Sequence, residues 1–195
     1  MLVDVLQNKT LEGKEDTLFN SLWHNRATIG DQYLLEQIEC KNSNAMQLLY
    51  KRYYTSLASF INMCLSDDQD TADILQDSFL DIWLGKKIWD RRQSVKVFIL
   101  SIIRKKIDNI TKVVKRNFLH EKAVAFSCDD LERQTKQSRF QDPLKHLSPR
   151  CKSLLFLLYK ESLSYEQIAI IESCTVSSVK RRFLEASRRL KMQVN

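Results

Sequence analysis

The chain has 195 residues, 44% of them hydrophobic, a formal net charge of +7, and only three glycines and two prolines. That is enough apolar material for one ordinary domain or two small ones, and no apolar run approaches the ~20 residues that cross a bilayer, which excludes a membrane helix. The start, MLVDVLQNKTLEGKEDT, lacks a signal peptide's charged end, apolar core and cleavage site, so a cytoplasmic protein is expected.

With so few turn formers and so much Leu, Ile, Lys, Arg, Gln and Glu, the composition predicts an all-α fold. Residues 1–30 have weak periodicity and form an N-terminal extension of uncertain order. From Asp31 the pattern strengthens. Leu34, Leu35 and Ile38 make one apolar stripe, and Ala45, Met46, Leu48, Leu49, Tyr53, Leu57, Phe60 and Ile61 make a second at helical spacing. The polar break KNSN at 41–44 separates them and offers caps for the second helix.

SDDQDTADILQDSFLDIW follows, with Ser66 or Asp67 as N-cap and carboxylates in the first turn, where the helix dipole favours them. Ala72, Leu75, Phe79, Ile82 and Trp83 form its expected inward stripe. Asp73, Gln76, Asp77, Leu80 and Asp81 are left on an acidic outer face. After Gly85, KKIWDRRQS is a loop, and VKVFILSIIRKKIDNITKVVKR is an amphipathic, strongly cationic helix.

Beyond it the apolar pattern fades, and 117–143 is expected to be a flexible linker. It divides two small helical domains, 31–116 and 144–195. Asp142-Pro143 is a possible helix start, and Ser148-Pro149 is an N-cap with proline in the first turn of the apolar helix through CKSLLFLLYK. SLSYEQIAIIESCTVSSVKRRFLEASRRLK then has the pattern of a helix-turn-helix. Ser164 caps a short helix with Tyr165, Ile168, Ala169 and Ile171 inward, and Glu166 or Gln167 completes a capping box. Glu172, Ser173 and Cys174 form the turn. Thr175 caps the second helix, whose Val179, Phe183, Ala186 and Leu190 face inward while Ser177, Ser178, Lys180, Arg181 and Arg182 face solvent.

Charge is segregated along the chain. Residues 31–90 carry ten acidic side chains against five basic; 91–122 carry ten basic against two acidic, and 144–195 ten basic against four acidic. An acidic face for one partner and two basic faces for a polyanion are expected. The five cysteines (Cys40, Cys64, Cys128, Cys151, Cys174) are scattered and contain no CxxC, so they are expected to be buried small apolar residues, with no disulfide or zinc. His24, His120 and His146 have no Ser, Cys or carboxylate at catalytic spacing, and no glycine-rich phosphate loop exists. No enzyme activity, metal, cofactor or small-molecule substrate is therefore expected.

Taken in order, DQYLLEQI, AMQLLYKRYYTSLASFI, TADILQDSFLDIW, HLSPRCKSLLFLLYKESLSYEQIA and SSVKRRFLEASRRLK resemble the extracytoplasmic-function (ECF) class of bacterial sigma factors over roughly 31–192. The resemblance implies a sigma region 2-like domain at 31–116 and a region 4-like helix-turn-helix domain at 144–195. It implies that Asp73, Gln76, Asp77, Leu80 and Asp81 dock on the β′ clamp helices of core RNA polymerase. Lys86, Lys87, Trp89, Arg91, Arg92, Phe98, Arg104, Lys105 and Lys112 would hold the melted non-template strand at the −10 element, where cations and aromatic surface are both needed. Thr175, Val176, Ser177, Ser178, Lys180, Arg181 and Arg182 would bind the −35 element. Of these, Ser178, Lys180 and Arg182 suit phosphates, whereas Val176, Ser177 and Arg181 occupy base-reading positions. An anti-sigma factor is a further partner common in the class.

The chain departs from the family pattern at four places. Phe98-Ile99 replaces a usual Trp-Leu, Lys105 a usual Asn, Ser173 a usual Gly or Asn, and Glu172 a usual buried Leu. A buried unpaired Glu is costly, so the turn is expected to shift and Ile170 or Ile171 to fill the gap. A helix-turn-helix regulator acting without polymerase is the alternative reading; it has no need of the acidic DILQDSFLDIW helix.

Overall fold

The computed structural model describes residues 30–65, 68–122 and 147–194, and every regular element among them is helical. The expected all-α fold is what is found. The helices are α1 (Asp31–Glu39), α2 (Ser43–Cys64), α3 (Asp68–Trp83), α4 (Val95–Lys122), α5 (Pro149–Leu155) with a π-helical continuation (Phe156–Lys160), α6 (Tyr165–Ile171) and α7 (Val176–Val194). The chain forms two compact units, one from Met1–Asn62 and Asp67–Ile103, the other from Met63–Ser66 and Arg104–Asn195. The expected extension through residue 29, the caps at 66 and 67, and most of the linker with the possible helix start at 142 lie outside the described residues. α4 stays helical through 117–122, where Leu119, Glu121 and Lys122 are good helix formers and neither glycine nor proline interrupts.

In the first unit, α1 buries Leu34, Leu35 and Ile38, and α2 buries all eight residues of its predicted stripe. Asp31, at the start of α1, is held by Arg52 and by the Tyr53 hydroxyl of α2. Between the two helices Lys41 takes a left-handed conformation (φ 64°), and Asn42 Oδ1 accepts from the Asn44 and Ala45 amides at 3.0 and 3.2 Å, capping α2.

The inward face of α3 is Thr71, Ile74, Leu75, Ser78, Phe79 and Ile82; Ala72 is exposed and Trp83 half-buried, which corrects the predicted stripe. Two small polar residues can occupy the core because their hydroxyls are satisfied there. Thr71 bonds Asn62, and Ser78 Oγ donates to the Ile74 carbonyl at 2.7 Å. Phe79 is fully buried edge-on to Tyr50, with ring centroids 4.9 Å apart. Val95 and 97–100, 102 and 103 of α4 are all buried, as expected of a helix at the centre of a core. Ser94 caps that helix, its hydroxyl accepting from the Val97 amide at 3.3 Å.

In the second unit, Ser148 caps α5 through the Cys151 amide with Pro149 in the first turn, as predicted. Leu147, Cys151, Leu155 and Ala186 form a core on which Phe183 and Leu190 pack. The last turn of the apolar helix widens into a π-turn and ends at Ser162 in left-handed backbone (φ 54°), with the Leu163 amide bonded to the Leu157 carbonyl. Among the described cysteines Cys151 is buried and Cys64 and Cys174 are half-buried. Cys40 is exposed, against expectation, because it follows the last buried residue of α1 at the turn.

Phe79→Ala is expected to cost about 3–5 kcal/mol in urea unfolding, because it empties a fully buried aromatic site. Asp73→Ala, on the opposite face, is expected to change stability by less than about 0.5 kcal/mol.

Candidate protein and nucleic-acid interfaces

Because Leu75, Phe79 and Ile82 of α3 face the core, Asp73, Gln76 and Asp77 face solvent, with Leu80 and Asp81 half-buried at its edge. Their spacing of three, four, seven and eight residues puts all five on one side of the helix. Asp81 pairs with Lys86 at 3.2 Å, which ties the end of α3 to the loop that follows.

That loop is built to hold its cations outward. Gly85 takes the left-handed backbone (φ 69°) that turns the chain off α3. Trp89 is 8% exposed and its Nε1 donates to the Gln93 carbonyl at 3.1 Å, anchoring the loop from inside. Asp90 Oδ1 accepts from the Arg92 amide at 3.0 Å in a local turn. Lys86, Lys87, Arg91 and Arg92 are exposed, Arg91 within 3.7 Å of Glu36. Lys87, Trp89 and Phe98 line one open cavity of about 230 Å³ with Lys41, Trp83 and Ile88. Lys41 was not singled out by sequence reasoning. Its ammonium donates to the Trp83 carbonyl, closing the C-terminus of α3, and lies 5.4 Å from the Trp83 ring centre. Ile88, 92% exposed, was missed as well, since an apolar letter in a loop carries no sign of which way it points.

On α4, Lys105 and Lys112 are exposed, but Arg104 is not: 4% of it is accessible. Inside the second unit its guanidinium pairs with Glu172 at 3.2 Å and with Asp108 at 3.3 Å, and lies 3.7 Å from Cys64 Sγ. Nε of Arg104 has no hydrogen-bond partner. Burial pushes the Cys64 thiol up to about 11, with Arg104 pulling the other way, so the cysteine stays a protonated, unreactive packing residue.

The helix-turn-helix pattern is present as α6, turn and α7. Ser164 and Gln167 form a reciprocal capping box, with bonds of 2.9 and 3.3 Å. Thr175 Oγ1 accepts from the Ser178 amide at 3.3 Å and caps α7. The predicted shift of the turn does not occur. Ser173 adopts the left-handed backbone itself (φ 48°), Ile170 stays half-exposed, and the Glu172 side chain is only 4% accessible. It is tolerated because it is paired: Arg182 reaches Oε2 at 3.3 Å, Arg104 the same oxygen at 3.2 Å, and Ser153 Oγ donates to Oε1 at 3.5 Å. Burial raises the Glu172 carboxyl above its ordinary value while Arg104 and Arg182 draw it down.

On α7, Thr175, Ser177, Lys180 and Arg181 are exposed, and Val176 and Ser178 half-buried. Arg182 is turned partly toward Glu172 and away from the outer stripe. Lys180 Nζ lies 6.0 Å from the Tyr165 ring centre. The structure thus gathers Ser177, Lys180 and Arg181 on one open face, while Arg104 and Arg182 hold the turn.

The chain is 22% identical over 180 residues to the ECF RNA polymerase sigma-E factor of Haemophilus influenzae, covering 84% of this chain and 95% of that protein. It is 24% identical over 131 residues to the RNA polymerase sigma factor SigV of Bacillus subtilis, covering 67% and 79%. Two solved structures share its fold. One is the sigma factor RpoE in complex with the anti-sigma factor NepR from Bartonella quintana, with a TM-score of 0.58, 21% identity, and 74% of this chain and 93% of that one covered. The other is CnrH in complex with the cytosolic domain of CnrY, with a TM-score of 0.60, 19% identity, and 84% and 96% covered. No family model matches the chain. The fold is that of a two-unit, all-helical sigma factor, and the resemblance to the ECF class is borne out by these relatives.

Glu172→Leu is expected to destabilise the protein by about 3 kcal/mol in chemical denaturation, because buried Arg104 loses one of its two carboxylate partners and Arg182 loses Glu172. Adding Arg104→Met should recover most of the loss. A carboxyl whose folded pKa lies above 4.5 contributes stability that is full below that pH and declines as pH rises above it. In the Glu172→Gln variant this acid-range slope should be absent from the stability curve.

Proposed function

We propose that this protein is a sigma factor that brings core RNA polymerase to specific promoters and starts transcription there. The acidic face of α3 docks on the β′ clamp helices. The loop after Gly85 and the exposed lysines of α4 hold the non-template strand of the −10 element, and α7 reads the −35 element. The division of labour follows the expected domains, 31–116 for polymerase and −10 binding and 144–195 for −35 binding. The observation that carries the reading is the coexistence of an acidic solvent face on α3 with exposed cations on the following loop and on α7, in a chain whose curated relatives are named as sigma factors along most of their length.

The protein works in the cytoplasm, where its template is, and makes or breaks no bond itself. No helix among the described residues is long and apolar enough to cross a membrane. RpoE was captured with an anti-sigma factor and CnrH with the cytosolic domain of CnrY, and an inhibitor of this kind is a further partner of this chain. A regulator that binds DNA without polymerase is the weaker reading, since nothing in it uses the acidic face.

Asp77→Arg, on the exposed face of α3, is expected to lower affinity for core polymerase at least tenfold in a fluorescence titration, with the unfolding midpoint unchanged. Undiminished affinity would remove α3 from the interface. Lys180→Ala should weaken binding to all promoter sequences and reduce the salt slope by about one, whereas Arg181→Ala should relax preference at a single position by about 1–3 kcal/mol. Equal losses on every sequence from both variants would contradict the separation of phosphate from base contacts.

A further inference from the structure

The most solvent-exposed large apolar side chain among the described residues is Ile88, at 92%, and it stands in the loop assigned above to the single strand. Its exposure is enforced. On one side Gly85 and the Lys86–Asp81 pair fix where the loop leaves α3. On the other, Trp89 is plugged into the unit with its Nε1 on the Gln93 carbonyl. With both neighbours pinned, Ile88 is held out in water at the lip of the 230 Å³ cavity, beside exposed Lys87. An isoleucine held in water forgoes burial free energy that the same side chain gains wherever it is covered.

We propose that Ile88 is an apolar wedge that packs against a base at the edge of the melted segment, holding apart the step next to the strand carried by the loop. The occupant is a nucleobase rather than a protein surface because the lip is cationic. Lys41 and Lys87 line the same cavity with Glu39, and Lys86, Arg91 and Arg92 are exposed along the same loop, an excess of cations that suits a phosphate backbone. Aliphatic residues inserted between base steps are a general means of unstacking a duplex. Neither Trp89 nor Phe98 can take this part, since both are buried. The assignment rests on the sigma-factor reading and adds to it the residue that keeps the duplex edge open.

The test uses reconstituted holoenzyme on two versions of one promoter, fully duplex and with the −10 segment mismatched so that it is already open. Ile88→Ala is expected to slow open-complex formation on the duplex about tenfold. It should leave binding to the opened template and to core polymerase within about twofold of the unsubstituted protein, and Ile88→Leu should restore the rate. An equal loss on both templates, or no loss on the duplex, would overturn the wedge. Weakened affinity for core polymerase would make Ile88 a protein contact and overturn it likewise. If unsubstituted protein supports no initiation on either template, the sigma-factor reading fails as well, an outcome distinct from failure of Ile88 alone.

Discussion

The placement of Phe79 against Tyr50 is the contact on which the rest of the first unit turns. A helix can bury one stripe only, and a fully enclosed aromatic ring on that stripe sets the rotation of α3 about its axis. Once Leu75, Phe79 and Ile82 face inward, Asp73 and Asp77 have to lie on the far side of the helix and Gln76 on its flank, all three exposed. The acidic face is thus a product of core packing. The same rotation decides where the helix ends: Trp83 finishes half-buried with its carbonyl taken by Lys41, and Gly85 turns the chain into the cationic loop. Surface chemistry of opposite sign on either side of one glycine follows from one buried ring.

In the second unit a corresponding constraint is electrostatic. A helix-turn-helix needs a sharp turn so that the second helix stands clear of the first, and here Ser173 supplies the left-handed residue despite its Cβ. Glu172 beside it is buried, and two guanidinium groups and a hydroxyl meet its oxygens. Arg182 is thereby drawn inward. Ser177, Lys180 and Arg181 are left on the open face of α7. A carboxylate at this position therefore affects which cations remain available to DNA.

Much of the fold was legible because apolar spacing in this chain is clean. All eight predicted inward residues of α2 are buried, and the caps at Ser148, Ser164 and Thr175 are where serine and threonine precede apolar periodicity. The misreadings have local causes. On α3, Ala72 falls on the predicted inward stripe and is exposed, whereas Ser78, which an apolar pattern does not select, is fully buried because its hydroxyl finds the Ile74 carbonyl within its own helix. The partners of Glu172 stand at 104, 153 and 182, too far apart in sequence for any local pattern to join them, so the cost of burial was visible and its compensation was not. Of the candidate site, the acidic face and the exposed cations could be read directly. The burial of Arg104 and the exposure of Ile88 could not, since charge and hydropathy alone do not say which way a side chain faces.

The most direct measurement is transcription by core RNA polymerase stripped of sigma factors, with this protein added, on fragmented genomic DNA of the source organism. The expected result is a stable complex on size exclusion and initiation from a discrete set of start sites that share upstream sequence at both elements. Binding to DNA without association with polymerase, and no added start sites, would contradict the account.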